Sequence, residues 1–263
     1  MSRDESQSEA GPLVWEIRGH VAILTINRPQ AMNSFDMELM AEHRKRLEQF
    51  ESDDNLRVLI YTGTGRAFSC GIDIKKAPDF LYLPPKTRMH YWVTPNSLKI
   101  NKPTIAAING YALGGGFELA LGCDIRIAAQ SARIGLPEVK LGALPGGGGT
   151  QTLPRLIGMG DALMMMLTGE PVSAEEALRL RLVQKVVADD SLLETAMQIA
   201  EAISDNGKTA VRLVKEVAML GIDLPFSDAL WQEEIYFERN RTLAADEIKE
   251  RLLKFQQASK KKS

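Results

Sequence analysis

The fold is decided by residues 102–124, KPTIAAINGYALGGGFELALGCD. Lys102-Pro103 opens a run of β-branched and small apolar residues, Thr104–Asn109, which predicts a buried strand. Gly114-Gly115-Gly116 follows this strand, and the residues from Phe117 onward predict a helix. The segment is therefore expected to be a strand, a glycine-rich turn and a helix, in that order.

Two interpretations of the Gly114–Gly116 turn remain open at this level. Backbone N–H groups at the start of a helix are unpaired, and glycines let a ligand oxygen approach them closely, as an oxyanion-binding site requires. The same glycines also fit a tight strand-to-helix turn without a ligand. Phosphate binding is disfavoured, because residues 110–116 lack the GxGxxG spacing. Gly142 and Gly147 have P-loop spacing, but glycines follow where lysine and a hydroxyl residue are required.

A second glycine turn lies at Phe68–Asp73, FSCGID, after a predicted strand at Leu56–Tyr61. If both turns lay side by side, each could direct one N–H group at the same carbonyl oxygen. The sequence alone does not show that they meet.

The other predicted elements alternate between strands and helices up to about residue 150, after which helices dominate. A strand at Leu182–Val187 interrupts the helical region, and Ser173 with Glu176 fits a capping box that starts a helix. This order predicts an α/β core followed by a helical C-terminal region. The remaining elements expected in the first part are a hairpin of Leu13–Ile17 and Val21–Ile26, a helix over Asp36–Phe50, a mobile proline-rich loop over 78–87, a helix over about 88–99 and a strand at Cys123–Ala129.

Composition excludes several classes of protein. The 263 residues are 44% hydrophobic and 25% charged, with a net charge of −2, so the basic excess of a general nucleic-acid binder is missing. The longest apolar run, Ala162–Leu167, is far shorter than the roughly 20 residues of a membrane span. Cys70 and Cys123 are too few for a disulfide framework or a four-ligand zinc site. We expect no nucleic-acid partner, no membrane anchor and no metal.

The first residues, 1–11, are polar and acidic and lack the apolar segment of a secretory signal. They predict a disordered leader and a cytoplasmic protein. A mature organellar chain without its transit segment is the alternative.

Five segments in order resemble the crotonase family, the enoyl-CoA hydratase/isomerase superfamily. The glycine turn followed by Glu-Leu and the later LPE and PGGGGTQ motifs are the most specific of the matches. The matching segments are Leu24–Asn33 (LTINRPQAMN), Ala67–Lys75 (AFSCGIDIK), Lys102–Asp124, Ile134–Thr152 (IGLPEVKLGALPGGGGTQT) and Leu167–Val187.

The resemblance implies an α/β fold, a crotonase-like spiral of ββα repeats with a helical C-terminal trimerisation region. The spiral core is expected over 12–190 and the helical region over 191–263, in a homotrimer or a dimer of trimers. The implied substrate is an acyl-CoA thioester, with coenzyme A as part of the substrate and no separate cofactor. By matched position, the N–H groups of Ile72 and Gly115 would bind the thioester oxygen. The implied substrate-binding residues are Cys70, Ile72, Asp73, Ile74, Lys75, Gly114 and Gly115, with 72–75 lying along the pantetheine and adenine end of coenzyme A.

Family hydratases act on one water with two glutamates, and both matching positions are glutamate here, Glu118 and Glu138. One carboxylate takes a proton from the attacking water, and the other gives a proton to C2 of the polarised thioester. We assign the first role to Glu118 and the second to Glu138, with roles that could be shared. The resemblance thus implies an enoyl-CoA hydratase that adds water syn across a trans-2-enoyl-CoA to give a 3-hydroxyacyl-CoA, as in fatty-acid β-oxidation.

Three alternatives accompany this expectation. The first is a Δ3-Δ2-enoyl-CoA isomerase, the second a hydratase or racemase for a special acyl group such as carnitinyl- or aryl-CoA, and the third a non-catalytic member that binds RNA or a protein. The aromatic residues near the proline-rich loop, Phe80, Tyr82, Tyr91 and Trp92, could line the acyl pocket. One departure from the family concerns coenzyme A. Ala258 stands where relatives often have a phosphate-binding lysine, and Lys260–Lys262 could supply that charge instead.

Overall fold

The computed structural model describes residues 11–260, so the predicted leader lies outside the described residues except for Gly11. The strands are β1 Leu13–Arg18, β2 Val21–Ile26, β3 Val58–Gly63, β4 Ala67–Ser69, β5 Thr104–Ile108, β6 Tyr111–Leu113, β7 Ile125–Ala129, β8 Arg133–Gly135, β9 Val172–Ser173 and β10 Lys185–Val187. The helices are α1 Met37–Ser52, α2 Ala77–Leu81, α3 Pro85–Tyr91, α4 Gly115–Leu121, α5 Gly149–Ile157, α6 Met159–Thr168, α7 Ala174–Arg179, α8 Leu192–Ser204, α9 Lys208–Gly221, α10 Phe226–Leu243 and α11 Ala245–Lys260.

The strands form two sheets whose order gives the fold its spiral. The larger sheet has the order β1-β2-β3-β5-β7-β10, and the smaller has the order β4-β6-β8-β9. Three pairs of consecutive strands therefore divide between the sheets: β3–β4, β5–β6 and β7–β8. In each pair the first strand lies in the larger sheet and the second lies in the smaller one. From β2 to β10 the larger sheet is parallel, and β1 is an antiparallel edge. This is the mixed α/β spiral of ββα repeats that the sequence predicts.

Apolar side chains alternate between the two faces of the larger sheet, because successive residues of a strand point to opposite sides. Leu59 and Ala106 belong to the main core, on the side of the smaller sheet. Ile60 and Ile105 face the opposite way and pack against α8. Both faces of the central strands are therefore covered, as is usual for parallel sheets.

Lys102, two residues before β5, is fully buried and lies against the C-terminal end of α1. Its ammonium donates to the carbonyl oxygens of Phe50 and Asp53, each at 2.6 Å, at the C-terminal end of the helix. Burial lowers the pKa of Lys102. The lysine thus fixes the start of the strand that carries the glycine turn.

The predicted hairpin, the helix after Asp36 and the Ser173 cap are confirmed. Asp36 accepts a hydrogen bond from Leu39 N, and Ser173 accepts one from Glu176 N. The predicted helix over 88–99 is wrong, since α3 covers Pro85–Tyr91 and ends before Trp92. The prolines of the predicted loop instead begin α2 and α3, because proline suits the first turn of a helix.

The C-terminal helices keep many large apolar side chains exposed. In α10, no residue is buried, and Trp231 is 66% exposed. In α6, Leu163, Met164 and Leu167 are exposed as well. Within residues 11–260, none of the helices has the length and apolar character needed to cross a bilayer.

Gly116→Ala tests the close packing of α4 on β4. A Cβ at Gly116 would collide with the carbonyl oxygen of Ser69 and lie 2.5 Å from its carbon, and backbone cannot move aside cheaply. We expect the free energy of unfolding to fall by about 1–3 kcal/mol or more. The control is Gly160→Ala in the first turn of α6, where nothing lies within 4 Å of the added carbon.

Urea denaturation of both variants measures the effect. The control should unfold at the wild-type midpoint or slightly above it, since alanine is the better helix former. Equal midpoints for Gly116→Ala and Gly160→Ala would show that the two backbones do not touch.

Candidate active site

The two glycine turns meet in the folded chain. A Cβ at Gly71 would lie 2.7 Å from the backbone nitrogen of Gly115 and 3.2 Å from the carbonyl oxygen of Leu113. Gly71 also has a φ of +83°, which favours glycine. Backbone therefore packs directly on backbone here, and the N-terminal residue of α4 lies beside the turn that follows β4.

Asn33 fixes the glycine turn at Phe68–Asp73 through hydrogen bonds. Its buried amide accepts from Arg28 N at 2.9 Å and donates to the carbonyl oxygens of Thr64 and Ala67. Ser69 then donates to the Asn33 carbonyl at 2.8 Å and accepts from Gly71 N at 3.1 Å. All these groups are satisfied within the protein, so the turn has little freedom to move.

The backbone N–H groups of Ile72 and Gly115 lie at this junction, and neither has a hydrogen-bond acceptor within residues 11–260. Phe35 N donates to Gly71 O at 2.7 Å, and Asp73 N donates to Phe35 O at 2.8 Å. These bonds bracket Ile72, whose own N–H therefore faces away from Phe35, because backbone groups alternate along an extended segment. Gly115 is the first residue of α4, so its N–H lacks a helical acceptor.

Glu118 lies one turn into α4 and is 4% exposed. Its Oε1 accepts from Gly147 N at 2.7 Å and from Gly149 N at 2.9 Å. Burial raises the pKa of this carboxyl, and the two N–H donors oppose that rise. The carboxylate is thus fixed through one oxygen, which leaves Oε2 available as a proton acceptor.

Glu138 lies at the start of a short 3-10 turn, Glu138–Leu141, next to the same junction. Its Oε1 is 3.2 Å from the point that a Cβ on Gly114 would occupy. Its Oε2 is buried and has no hydrogen-bond partner among the described residues. Burial, with a contribution from the negative charge of Glu118, raises the pKa of Glu138 to about 7. Near neutral pH this carboxyl is therefore able both to donate and to accept a proton.

Sequence reasoning missed the partners of Glu118. The run Gly146–Gly149 was tested as a phosphate loop and matched as a family motif, but it was not expected to contact Glu118, whose carboxylate accepts from the N–H groups of Gly147 and Gly149. A Cβ at Gly147 would lie 2.5 Å from Glu118 Oε2 and would collide with Trp92 Nε1. A glycine run downstream of a matched glutamate was the available signal.

The other residues expected to bind substrate are near the junction but differ in exposure. Cys70 is partly buried, and burial raises the pKa of its thiol, which disfavours a nucleophilic thiolate. Asp73 pairs with Arg28 at 3.2 Å. Ile74 is 69% exposed and Lys75 is exposed too, so both could contact a bound molecule. The side chain of Ala258 lies outside the described residues, and so do Lys261 and Lys262.

The comparison with protein families matches residues 16–262 to the enoyl-CoA hydratase/isomerase model. The chain belongs to this family.

Individual relatives of this family cover most of the chain. The (E)-benzylidenesuccinyl-CoA hydratase of Thauera aromatica is 43% identical over 229 residues, 84% of this chain and 89% of that protein. The short-chain-enoyl-CoA hydratase of Clostridium acetobutylicum is 40% identical over 228 residues, 84% of this chain and 86% of that protein. Among solved structures, an enoyl-CoA hydratase subunit from Geobacillus kaustophilus superposes with a TM-score of 0.86 at 35% identity, covering 95% of this chain and 97% of that chain.

Glu138→Gln tests the burial of this carboxyl without an activity assay. The folded pKa of about 7 exceeds the ordinary 4.5, so the folded state binds the proton more tightly. The stability that protonated Glu138 contributes is present below pH 4.5 and is lost as the pH rises through 7. Between pH 4.5 and pH 8, we expect the free energy of unfolding of Glu138→Gln to rise by about 1–3 kcal/mol relative to that of the wild type.

Chemical denaturation at several pH values measures this difference. The control is Glu175→Gln, on the exposed first turn of α7. Its free energy of unfolding should stay close to the wild-type value at every pH. If the free energies of unfolding of Glu138→Gln and the wild type differed by the same amount at every pH, the raised pKa of Glu138 would be contradicted.

Proposed function

We propose that this chain is an enoyl-CoA hydratase that adds water syn to a trans-2-enoyl-CoA and forms a 3-hydroxyacyl-CoA. The observation that carries the proposal is the convergence of two unpaired backbone N–H groups, of Ile72 and Gly115, with two carboxyl groups, of Glu118 and Glu138. An oxyanion hole and an acid/base pair are the two devices that hydration of a conjugated thioester needs.

In the proposed mechanism, the thioester oxygen accepts hydrogen bonds from Ile72 N and Gly115 N, which makes C3 electrophilic. The water oxygen forms a bond to C3 while Glu118 takes one water proton. The electron pair of the double bond moves to C2, which takes the proton of Glu138. Glu118 ends protonated and Glu138 ionised, and proton exchange with solvent restores both.

The electrostatics support this division of roles. Glu118 Oε1 is occupied by two N–H donors, which favour the ionised form of a base. Glu138 has no donor on Oε2 and has a pKa of about 7, which keeps a proton available near neutral pH. The nearby charge of Glu118 strengthens that proton binding.

Two of the similar proteins bear on the acyl group. One is described as a short-chain-enoyl-CoA hydratase, and the other acts, by its name, on (E)-benzylidenesuccinyl-CoA. We propose a short enoyl-CoA as the first substrate to test. A bulky aryl substrate is the second candidate, supported by Trp92, whose indole reaches the Gly115 turn.

The remaining properties of the enzyme are proposals of the same kind. We propose a homotrimer or a dimer of trimers, supported by the exposed apolar side chains of α6 and α10. We propose a role in fatty-acid β-oxidation without a separate cofactor, in the cytoplasm, where the two free cysteines would stay reduced. Lys75 and the lysines after Ala258 are the cations we propose for the coenzyme A phosphates.

Glu118→Gln and Glu138→Gln test the acid/base pair directly. Each change keeps the shape of the side chain and removes its proton transfer, so we expect kcat for crotonyl-CoA hydration to fall by about 10²–10⁴-fold. The rate is measured from the decrease in the absorbance of the conjugated thioester. The control Glu175→Gln should retain wild-type activity, and a wild-type rate in Glu138→Gln would disprove its assignment.

A panel of acyl-CoA substrates analysed by product mass separates the alternatives. Hydration adds the mass of one water, whereas isomerisation adds none. Turnover with the mass unchanged would replace the proposal by an isomerase. Undetectable turnover across the panel with tight RNA binding would favour a non-catalytic role.

The pH dependence of C2–H exchange in butyryl-CoA tests the coupling of the two glutamates. This exchange uses ionised Glu138 as the base, so its rate should rise with pH to a plateau, with a midpoint at about 7. Glu118→Gln removes a negative charge that raises the pKa of Glu138, so the midpoint should move to lower pH. Proton NMR in D2O measures the exchange, and an unmoved midpoint would show that the two carboxyls do not interact.

A further inference from the structure

Trp92 carries a buried hydrogen-bond donor that the described part of the protein leaves without an acceptor. Its indole Nε1 is buried and has no hydrogen-bond partner among residues 11–260. Buried polar groups are nearly always paired with protein or with ordered water, so an orphaned donor beside a reactive site calls for an occupant. From the sequence, Trp92 was expected only to line the acyl pocket.

The position of the indole is fixed from three sides. A Cβ at Gly115 would lie 2.8 Å from Trp92 Cζ2, and a Cβ at Gly147 would collide with Nε1. The ring also packs edge-on against Phe35, with 5.4 Å between the ring centroids. The indole thus extends from the oxyanion turn, at its six-membered ring, to the glycine run that holds Glu118, at its Nε1.

The Nε1 donor lies next to the free acceptor of Glu118. The point where a Cβ on Gly147 would stand is in contact with Trp92 Nε1 and 2.5 Å from Glu118 Oε2. No direct hydrogen bond joins these two groups, while Glu118 Oε1 is already held by two backbone donors. Trp92 Nε1–H is a donor and Glu118 Oε2 is an acceptor, and the two lie close together without a hydrogen bond between them. A molecule that accepts one hydrogen bond and donates another could therefore bind to both.

We propose that Trp92 Nε1–H binds the water molecule that Glu118 deprotonates, an inference that rests on the proposed hydratase function. A carboxylate or carbonyl group of the acyl chain fits less well, because it can accept from Nε1 but offers Glu118 no proton. Water accepts from Nε1 with one lone pair, donates one proton to Glu118 Oε2 and attacks C3 with its second lone pair. The indole proton is not transferred.

Trp92→Phe removes the donor and keeps an aromatic ring against Phe35 and Gly115. Two reactions of the 263-residue chain are compared, hydration of crotonyl-CoA and C2–H exchange of butyryl-CoA in D2O. Exchange needs the oxyanion hole and Glu138 but no attacking water. We expect hydration kcat to fall by about 10–100-fold with KM within about twofold, and the exchange rate to stay within about threefold.

Trp15→Phe is the matched control. Trp15 lies in β1, and its buried Nε1 also has no hydrogen-bond partner among the described residues, so the same atom is removed away from the glycine junction. Both reactions should keep their wild-type rates in this variant. As a second version of the test, a benzothienylalanine at position 92 keeps the bicyclic shape and replaces N–H by sulfur, and it should lose hydration selectively as well.

Three outcomes would overturn the inference while leaving the proposed function intact. Hydration by Trp92→Phe at the wild-type rate would show that the donor holds no water. An equal loss of hydration and exchange, in both position-92 variants, would show a structural role only. A loss confined to acyl groups with a polar substituent would assign Nε1 to the substrate. A wild-type protein that hydrates no acyl-CoA overturns the proposed function as well, so the two failures are distinguishable.

Discussion

The direct packing of backbone on backbone at the two glycine turns is the constraint on which the site depends. Gly71 touches the nitrogen of Gly115, and Gly116 lies against the carbonyl group of Ser69, with no side chain between them. This closeness is possible only because the spiral sends β4 and β6 to the same small sheet as parallel neighbours. The unpaired N–H groups of Ile72 and Gly115 are the chemical result.

The two carboxyl groups differ because their surroundings differ. Glu118 has two N–H donors on one oxygen, whereas Glu138 has a buried oxygen without a donor. Burial then raises the pKa of Glu138 to about 7, with help from the charge of Glu118. One group is suited to act as a base and the other to hold a proton for C2. The environment, more than the residue type, assigns the proposed roles.

Much of the fold follows from local sequence patterns. The hairpin, the central strands and the capped helices are each five or more residues long, so their periodicity and turn residues can be recognised. The strands of the smaller sheet are shorter. β4, β6 and β8 have three residues each, and β9 has two, which is too short for an alternating pattern. The proline-rich segment was also misassigned, since prolines that suggested a loop begin α2 and α3.

In the site, too, residues in continuous motifs could be predicted from the sequence, whereas contacts between distant segments could not. Glu118 and Glu138 were found because their motifs are continuous in sequence. The N–H groups that hold Glu118 come from residues about 30 positions later, and Trp92 comes from an element that was placed wrongly. Contacts between such distant segments are set by the topology of the sheets, which no single window of sequence contains.

We propose above all that Ile72 N–H and Gly115 N–H polarise the carbonyl group of a bound thioester. The carbonyl stretching frequency of butyryl-CoA labelled with ¹³C at C1 reports this polarisation in a difference infrared spectrum. Hydrogen bonds from two fixed donors should shift the band of the bound thioester to a lower frequency than in water. A bound thioester whose band stays at or above its position in water would contradict the account.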